Sequence, residues 1–278
     1  MFKLSPKSFG FILSLSLLDG CGGTLGGNPE VDGTDPSLQK GLSFAIMDAP
    51  VADAKNVFLT VESLALLKSD GGWLTIPLET KTEIDLLHYQ NGLTAPLASI
   101  AQIAPGTYAQ TRLVLSDSSP ARLVDLSGVE HVLKVPSGSE SGLKINSPIT
   151  IEAGLAKAMV IDFDLRKSIK LTGNWNNPNA KYILKPVLRM VDRQEAGSIQ
   201  GPMAEGDVVC LYAAGAVKDS SDDCENSVAS GSISNSNVHI SFLAIGVYDL
   251  RIFKDGQVLK DITGIKIEAN TVTKTNDL

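Results

Sequence analysis

Helical periodicity is nearly absent from this chain after its first 20 residues, and so is any long apolar run. Only Phe9–Leu18 is apolar, broken by Gly10, Ser14 and Ser16, and that is short of the roughly 20 residues a membrane-spanning helix needs. Histidine is scarce: His88, His131 and His239 stand alone in sequence, and no H-E-x-x-H occurs, which excludes a zincin-type metal helix. There is no G-x-S-x-G either. The nearest phrase, "GSESG" at 138–142, has Glu140 where the nucleophile would stand. A glycine-rich loop ending in Lys-Ser or Lys-Thr is also missing, which excludes a phosphate-cradling P-loop. A hydrolase remains as an alternative only with a dispersed active site whose groups meet in space. A basic excess is lacking too. Twenty-four Lys+Arg against 31 Asp+Glu leave a net charge of −7, which argues against nucleic acid as a partner, because phosphate neutralisation requires a basic footprint.

What is present describes a globular chain. Hydrophobic residues at 43% and charged ones at 20% are outside the range of disordered segments, and the length suffices for two modest domains. Lys3 and Lys7 precede the short apolar run, whose length suits the h-region of a secretory signal, about 7–15 residues. Leu18, Asp19, Gly20 and Cys21 follow. Leu at −3 and Gly at −1 before a cysteine resemble the lipobox of bacterial lipoproteins; Asp19 departs from the usual small residue at −2. The resemblance implies cleavage before Cys21, a diacylglyceryl thioether on its sulfur and acylation of the new amine. Several chains give stable membrane attachment where one gives only marginal binding. Gly22, where an Asp resembles an inner-membrane retention signal, implies the outer membrane.

Three cysteines are present, and Cys21 is taken by the anchor. Cys210 and Cys224 remain as an even pair, read in an exported protein as a disulfide. Their spacing is not C-x-x-C and no histidine is near either, so a redox or metal pair is disfavoured. Residues 1–20 thus read as a lipoprotein signal peptide. Residues 21–40, rich in Gly and Pro, read as a flexible tether.

From Gly41 the pattern becomes β. "KNVFLTVESLALL" alternates at period two, "SDGGW" supplies a hairpin turn, and "WLTIPL" reads as the returning strand. "PGTYAQTRLVLSD" repeats that logic, with Tyr108, Gln110, Arg112 and Val114 on one face and Ala109, Thr111, Leu113 and Leu115 on the other. Further strands are expected at "EHVLKVP", "PITIEAG", "KAMVIDFDL" and "YILKPVLRMVD", and one short helix near residues 82–91, ended by Asn91-Gly92. A composition shift near 192–201 separates residues 41–195 from a smaller β domain at 197–278, where "GVYDLRIFKDGQVL" reads as a hairpin with an Asp-Gly turn. The fold class is all-β: two β-sandwich domains, immunoglobulin-like or prealbumin-like.

Several phrases carry a family resemblance. "LSFAIMDAPVADAKNVFLTVESLAL", "GGWLTIPL", "IDLLHYQNGL", "IAPGTYAQTRLVL", "GLKINSPITIEAG", "VIDFDLRKSI" and "YILKPVLRMV" occur in order between Gly41 and Asp192. Together they resemble the bacterial lipoprotein domain of unknown function DUF4382. The resemblance implies an envelope-associated β-sandwich with no assigned activity. The C-terminal "GVYDLRIFKDGQ…ITGIKIEANTVT" is similar to prealbumin-like modules such as carboxypeptidase regulatory-like domains.

Two groups of side chains are candidates for chemistry. Asp162 and Asp164 in "DFD" fall on one face of a strand, where they repel unless paired. Pairing with a base is the first reading, with Arg166, Lys167, Arg112 and Lys144 as partners. A hard-cation site is the second, with Asp48 of the "DAP" loop as third ligand and calcium as the ion. The acidic run "DSSDDCE" at 219–225 reads as solvated charge. Among the aromatics Trp73, Tyr108, Trp175 and Tyr182, the last two are the candidates for contact with a ligand, since Trp175 lies in a polar loop with no evident core to join. The expected function is therefore a lipid-anchored, non-catalytic binding or structural module at the membrane surface. Its partners would be membrane lipid through Cys21 and an envelope protein or polysaccharide. A calcium-dependent adhesion or carbohydrate-binding module is the alternative.

Overall fold

The computed structural model describes residues 41–49, 54–136, 142–172 and 181–277. The expected signal peptide, the tether, Cys21 and Trp175 lie outside the described residues. In chain order the strands are β1 (Leu42–Ala49), β2 (Ala54–Lys68), β3 (Trp73–Asp85), β4 (Ala95–Ile100), β5 (Gly106–Leu115), β6 (Arg122–Asp125), β7 (Glu130–Lys134), β8 (Leu143–Ile145), β9 (Ile149–Ile151) and β10 (Lys157–Asp164). They continue as β11 (Ile169–Thr172), β12 (Lys181–Leu184), β13 (Leu188–Asp192), β14 (Gly197–Pro202), β15 (Val208–Ala213), β16 (Ala229–Ser234), β17 (Asn237–Leu243), β18 (Gly246–Lys254), β19 (Gln257–Ile267) and β20 (Val272–Lys274). The all-β expectation holds.

The strands form three sheets. A four-stranded sheet runs β13-β10-β1-β4; a nine-stranded sheet runs β11-β12-β7-β6-β2-β5-β8, with β3 on β2 and β9 on β5. Residues from both enclose one apolar core that includes Phe44, Leu59, Leu64, Leu113, Ile161 and Phe163. A seven-stranded sheet, β19-β18-β15-β16-β17-β14-β20, folds around a second core that includes Ile199, Val209, Ile240 and Leu250. β16 joins the two halves of that sheet: Ala229–Ser232 pair with β15, then Ile233 and Ser234 pair with β17.

Alternation predicts the inward residues until a bulge resets the phase. β2 buries Val57, Leu59 and Val61; its register shifts before Ser63, and Leu64 and Leu66 then point inward. An extra residue in one strand has this effect, because side-chain direction has period two. The same device corrects the reading of β5. Tyr108 is buried on the side of Thr111, Leu113 and Leu115, and a register shift between Leu67 and Lys68 leaves Ala109 as the inserted residue.

Two other expectations change. The helix near residues 82–91 is a single 3₁₀ turn, Leu86–His88. Residues before it extend β3, where Thr82–Asp85 pair with Phe58–Val61. Asp85 ends the strand by accepting from Val57 N (3.1 Å), Asn56 Nδ2 (2.6 Å) and Leu87 N (3.3 Å). The segment "YILKPVLRMVD" is two strands in two sheets, β12 and β13. Pro186 lies between them, and a residue without an N–H cannot continue a ladder. The Asp-Gly hairpin joining β18 and β19 is as expected: Asp255 and Gly256 both have positive φ, 50° and 71°, the geometry of a tight two-residue turn.

Candidate functional site

The three candidate carboxylates meet because β1 and β10 are parallel neighbours. The register sets Met47 beside Asp162, Asp48 beside Phe163 and Ala49 beside Asp164. On the other side of β10, antiparallel β13 sets Arg189 beside Asp162. Asp48, Asp162 and Asp164 are all buried. Two are ion-paired. Arg189 Nη2 lies 2.6 Å from Asp162 Oδ2, and Lys167 Nζ lies 3.1 Å from Asp164 Oδ2. Lys167 reaches back because β10 gives way at Asp164 to one helical turn, Leu165–Ser168, whose N-cap is Asp164 itself, accepting from Lys167 N (3.1 Å). The base-paired reading is the one present, through Lys167 as expected and through Arg189, which was not among the expected partners. Among the described residues, no group of three or more His, Cys, Asp or Glu is placed to hold a metal ion.

Among the described residues no cation pairs with Asp48. Gln90 Nε2 donates to its Oδ2 (3.1 Å) and Leu165 N to its Oδ1 (3.3 Å). Burial pushes its carboxyl well above the ordinary range, and Asp162 and Asp164 push the same way. Burial also raises Asp162, against the pull of Arg189; its Oδ1 is buried with no hydrogen-bond partner among the described residues. The arrangement balances when Asp48 is protonated, leaving two carboxylates opposite two cations.

A prediction follows with a definite sign. A carboxyl whose folded pKa exceeds its unfolded value of about 3.9 favours the fold at low pH. Its contribution fades as pH climbs from that value to the raised folded one. Asp48→Asn keeps an acceptor for Leu165 N and removes the charge. We expect the melting temperature of Asp48→Asn minus that of the wild type to increase from pH 4 to pH 8. A difference that stays flat, or falls, would show Asp48 to be ionised throughout.

The cluster lies where the residues before 193 meet those after 196. Arg189 Nη2 also donates to Ser241 O (3.1 Å), and its Nη1 donates to Phe242 O. Lys167 Nζ donates to Ser227 O (2.9 Å), and Ser230 Oγ donates to Asp164 Oδ2 (3.3 Å). Around this centre Arg166 Nη2 donates to Ser232 Oγ (3.2 Å), and Lys170 pairs with Glu225. Gly92, at φ 90°, packs against the same surface: a Cβ there would stand 3.1 Å from both His239 Cε1 and Ser241 Oγ. Both cations of the cluster thus satisfy a carboxylate on one side and backbone carbonyls on the other.

The remaining candidates are dispersed. Cys210 and Cys224 form a disulfide, both buried. Tyr182 is buried with its ring 4.6 Å from that of His131, which in turn bonds Asp125 Oδ2 (2.8 Å). Trp73 is half exposed beneath the Arg112 guanidinium, 4.0 Å from its ring centre. His88 is exposed beside Asp85 (3.6 Å). His239 Nε2 lies 3.0 Å from Ser241 Oγ, but the backbone of Asn91, not a carboxylate, bonds the imidazole. The sequence reading missed Arg189 and Arg193. Both lie on β13 or just beyond it, in a stretch whose alternation was legible but whose neighbours were not.

The stretch from residue 41 to residue 186 matches the family model described as "Domain of unknown function (DUF4382)". No curated protein matches the chain. Among solved structures, the minor pilin GBS52 of the Gram-positive pathogen Streptococcus agalactiae is 12% identical. That match covers 85% of this chain and 94% of the pilin at a TM-score of 0.19. The major pilin subunit of Bacillus cereus is 13% identical, with 84% and 97% covered at a TM-score of 0.19.

Proposed function

The chain belongs to the DUF4382 family, and from that membership we propose that it is a lipid-anchored, non-catalytic binding or structural module of the bacterial envelope. In this reading Cys21 carries the acyl chains and residues 21–40 tether the β portion to the outer membrane. The portions before and after residue 196 act as one rigid unit that contacts an envelope protein or polysaccharide. The observation that carries the reading is the buried ion-paired cluster at Asp162, Asp164, Lys167 and Arg189. Its polar groups are turned toward each other and toward the backbone of the C-terminal portion. Such a cluster fixes orientation, because each of its two cations is bonded both to a carboxylate and to the backbone of the C-terminal portion.

The anchor is tested by labelling cells with palmitate. Wild type should take up label and shift in detergent partitioning, and Cys21→Ser should do neither. Equal labelling of the two would remove the anchor from the proposal and leave the rigid β unit untouched.

A further inference from the structure

Among the described residues β4 pairs with β1 alone and β3 with β2 alone, so each is the edge strand of its sheet. Residues of both edges line one groove of about 860 Å³, within the range of small-molecule sites, roughly 300–1,000 Å³. Core side chains reach it, among them Phe44, Ile76, Leu97 and Met159. Among the described residues that line it, Arg193 is the charged one.

Arg193 is held in place but not neutralised. Its Nη2 donates to Thr94 Oγ1 (2.8 Å), and its guanidinium lies 5.0 Å from the centre of the Phe242 ring. The adjacent carboxylate, Asp192, is taken by Lys157 (2.8 Å), and among the described residues no carboxylate pairs with Arg193. In a chain of net charge −7, an oriented guanidinium at an apolar groove selects for an anion joined to an apolar body.

The edges indicate the shape of that body. Pro77 lies in β3 and Pro96 in β4, and both line the groove. Each removes an N–H from its edge, and proline on an edge strand opposes ladder pairing. An added polypeptide strand would leave its own carbonyls without donors there, whereas an alkyl chain has no hydrogen bonds to satisfy. We propose that the groove between β3 and β4 binds a long-chain carboxylate, its alkyl chain against Phe44, Ile76, Leu97 and Met159 and its head group on Arg193. The site is separate from the anchor at Cys21, and either can fail alone.

Calorimetric titration of the full chain with octanoate, decanoate and dodecanoate, kept below micelle formation, tests this. Dodecanoate should saturate one site, and affinity should rise roughly three- to fourfold with each methylene. Arg193→Gln should weaken dodecanoate at least tenfold while leaving dodecanol unchanged. Ala98→Trp, which fills the groove from β4, should abolish both. Should that variant not fold, broadening of the methyl resonances of Ile76 and Leu97, with those of Ile199 and Val209 unaffected, by a spin-labelled fatty acid reports the same site. Absence of saturable binding, affinity independent of chain length, or an unchanged response in Arg193→Gln would each overturn the proposal.

Discussion

Replacing Arg189 with alanine is expected to destabilise the protein by about 3–5 kcal/mol, the range for removing one partner of a buried pair. The loss has three parts. Asp162 is left as a buried carboxylate with no cation beside it on β13, and the carbonyls of Ser241 and Phe242 lose their donor. At this size the melting temperature should fall by on the order of 10 °C. This residue is one of those that bond the two portions together, and calorimetry should resolve two transitions in the variant where the wild type gives one. A second variant separates the pair from its burial: Arg189→Met combined with Asp162→Leu should recover a large part of the stability, since an apolar pair of similar volume often replaces a buried ion pair at little cost. A loss under 1 kcal/mol in Arg189→Ala, with a single transition kept, would show that the portions are joined by something else.

The second large effect is expected from the disulfide. Cys210 and Cys224 are separated by 14 positions. A closed loop of that size contributes roughly 3 kcal/mol by restricting the unfolded chain. Replacing both with alanine should therefore cost about 2–5 kcal/mol, as for native disulfides in small secreted domains. The bridge also reaches the cluster. Cys224 O accepts from Ser227 N (3.0 Å) and Ser227 Oγ (2.7 Å), and Ser227 O receives Lys167 Nζ. Loss of the disulfide should therefore loosen Lys167. A double-mutant cycle between the alanine pair and Lys167→Met should show coupling of 0.5 kcal/mol or more. Strict additivity would confine the disulfide to its own loop.

Local chemistry made much of this legible in advance. Period-two alternation located β2, β5 and β10, and the Gly-Gly and Asp-Gly turns located the β2–β3 and β18–β19 hairpins, because side-chain direction and positive φ are properties of a few neighbouring residues. The cysteine pair followed from counting and from the export expected of the N-terminal segment. The failures fall where a distant strand decides. The 3₁₀ turn at Leu86 is short because β2 holds Asp85 and extends β3 into the expected helix. Tyr108 turned inward because a bulge opposite Lys68 reset the phase of β5. Neither signal lies in the segment itself.

The candidate site divides the same way. Alternation placed Asp162 and Asp164 on a strand and charge repulsion demanded partners for them, and both statements needed only the sequence. Lys167 could be named because it neighbours Arg166 in sequence, while the helical turn that brings it back to Asp164 was seen only in the structure. Arg189 could not, since it reaches Asp162 only through the antiparallel register of β13, and Asp48 joins only through the parallel register of β1. The sequence by itself determined the strands, the turns, the disulfide and the need to neutralise two acids. Tertiary structure alone decided which cations do so, that burial beside two other acids raises the Asp48 carboxyl, and that Arg193 lines the groove between β3 and β4. The reason is physical: hydrogen-bond propensity and alternation act within a few residues, whereas burial and ion pairing depend on which strands lie side by side.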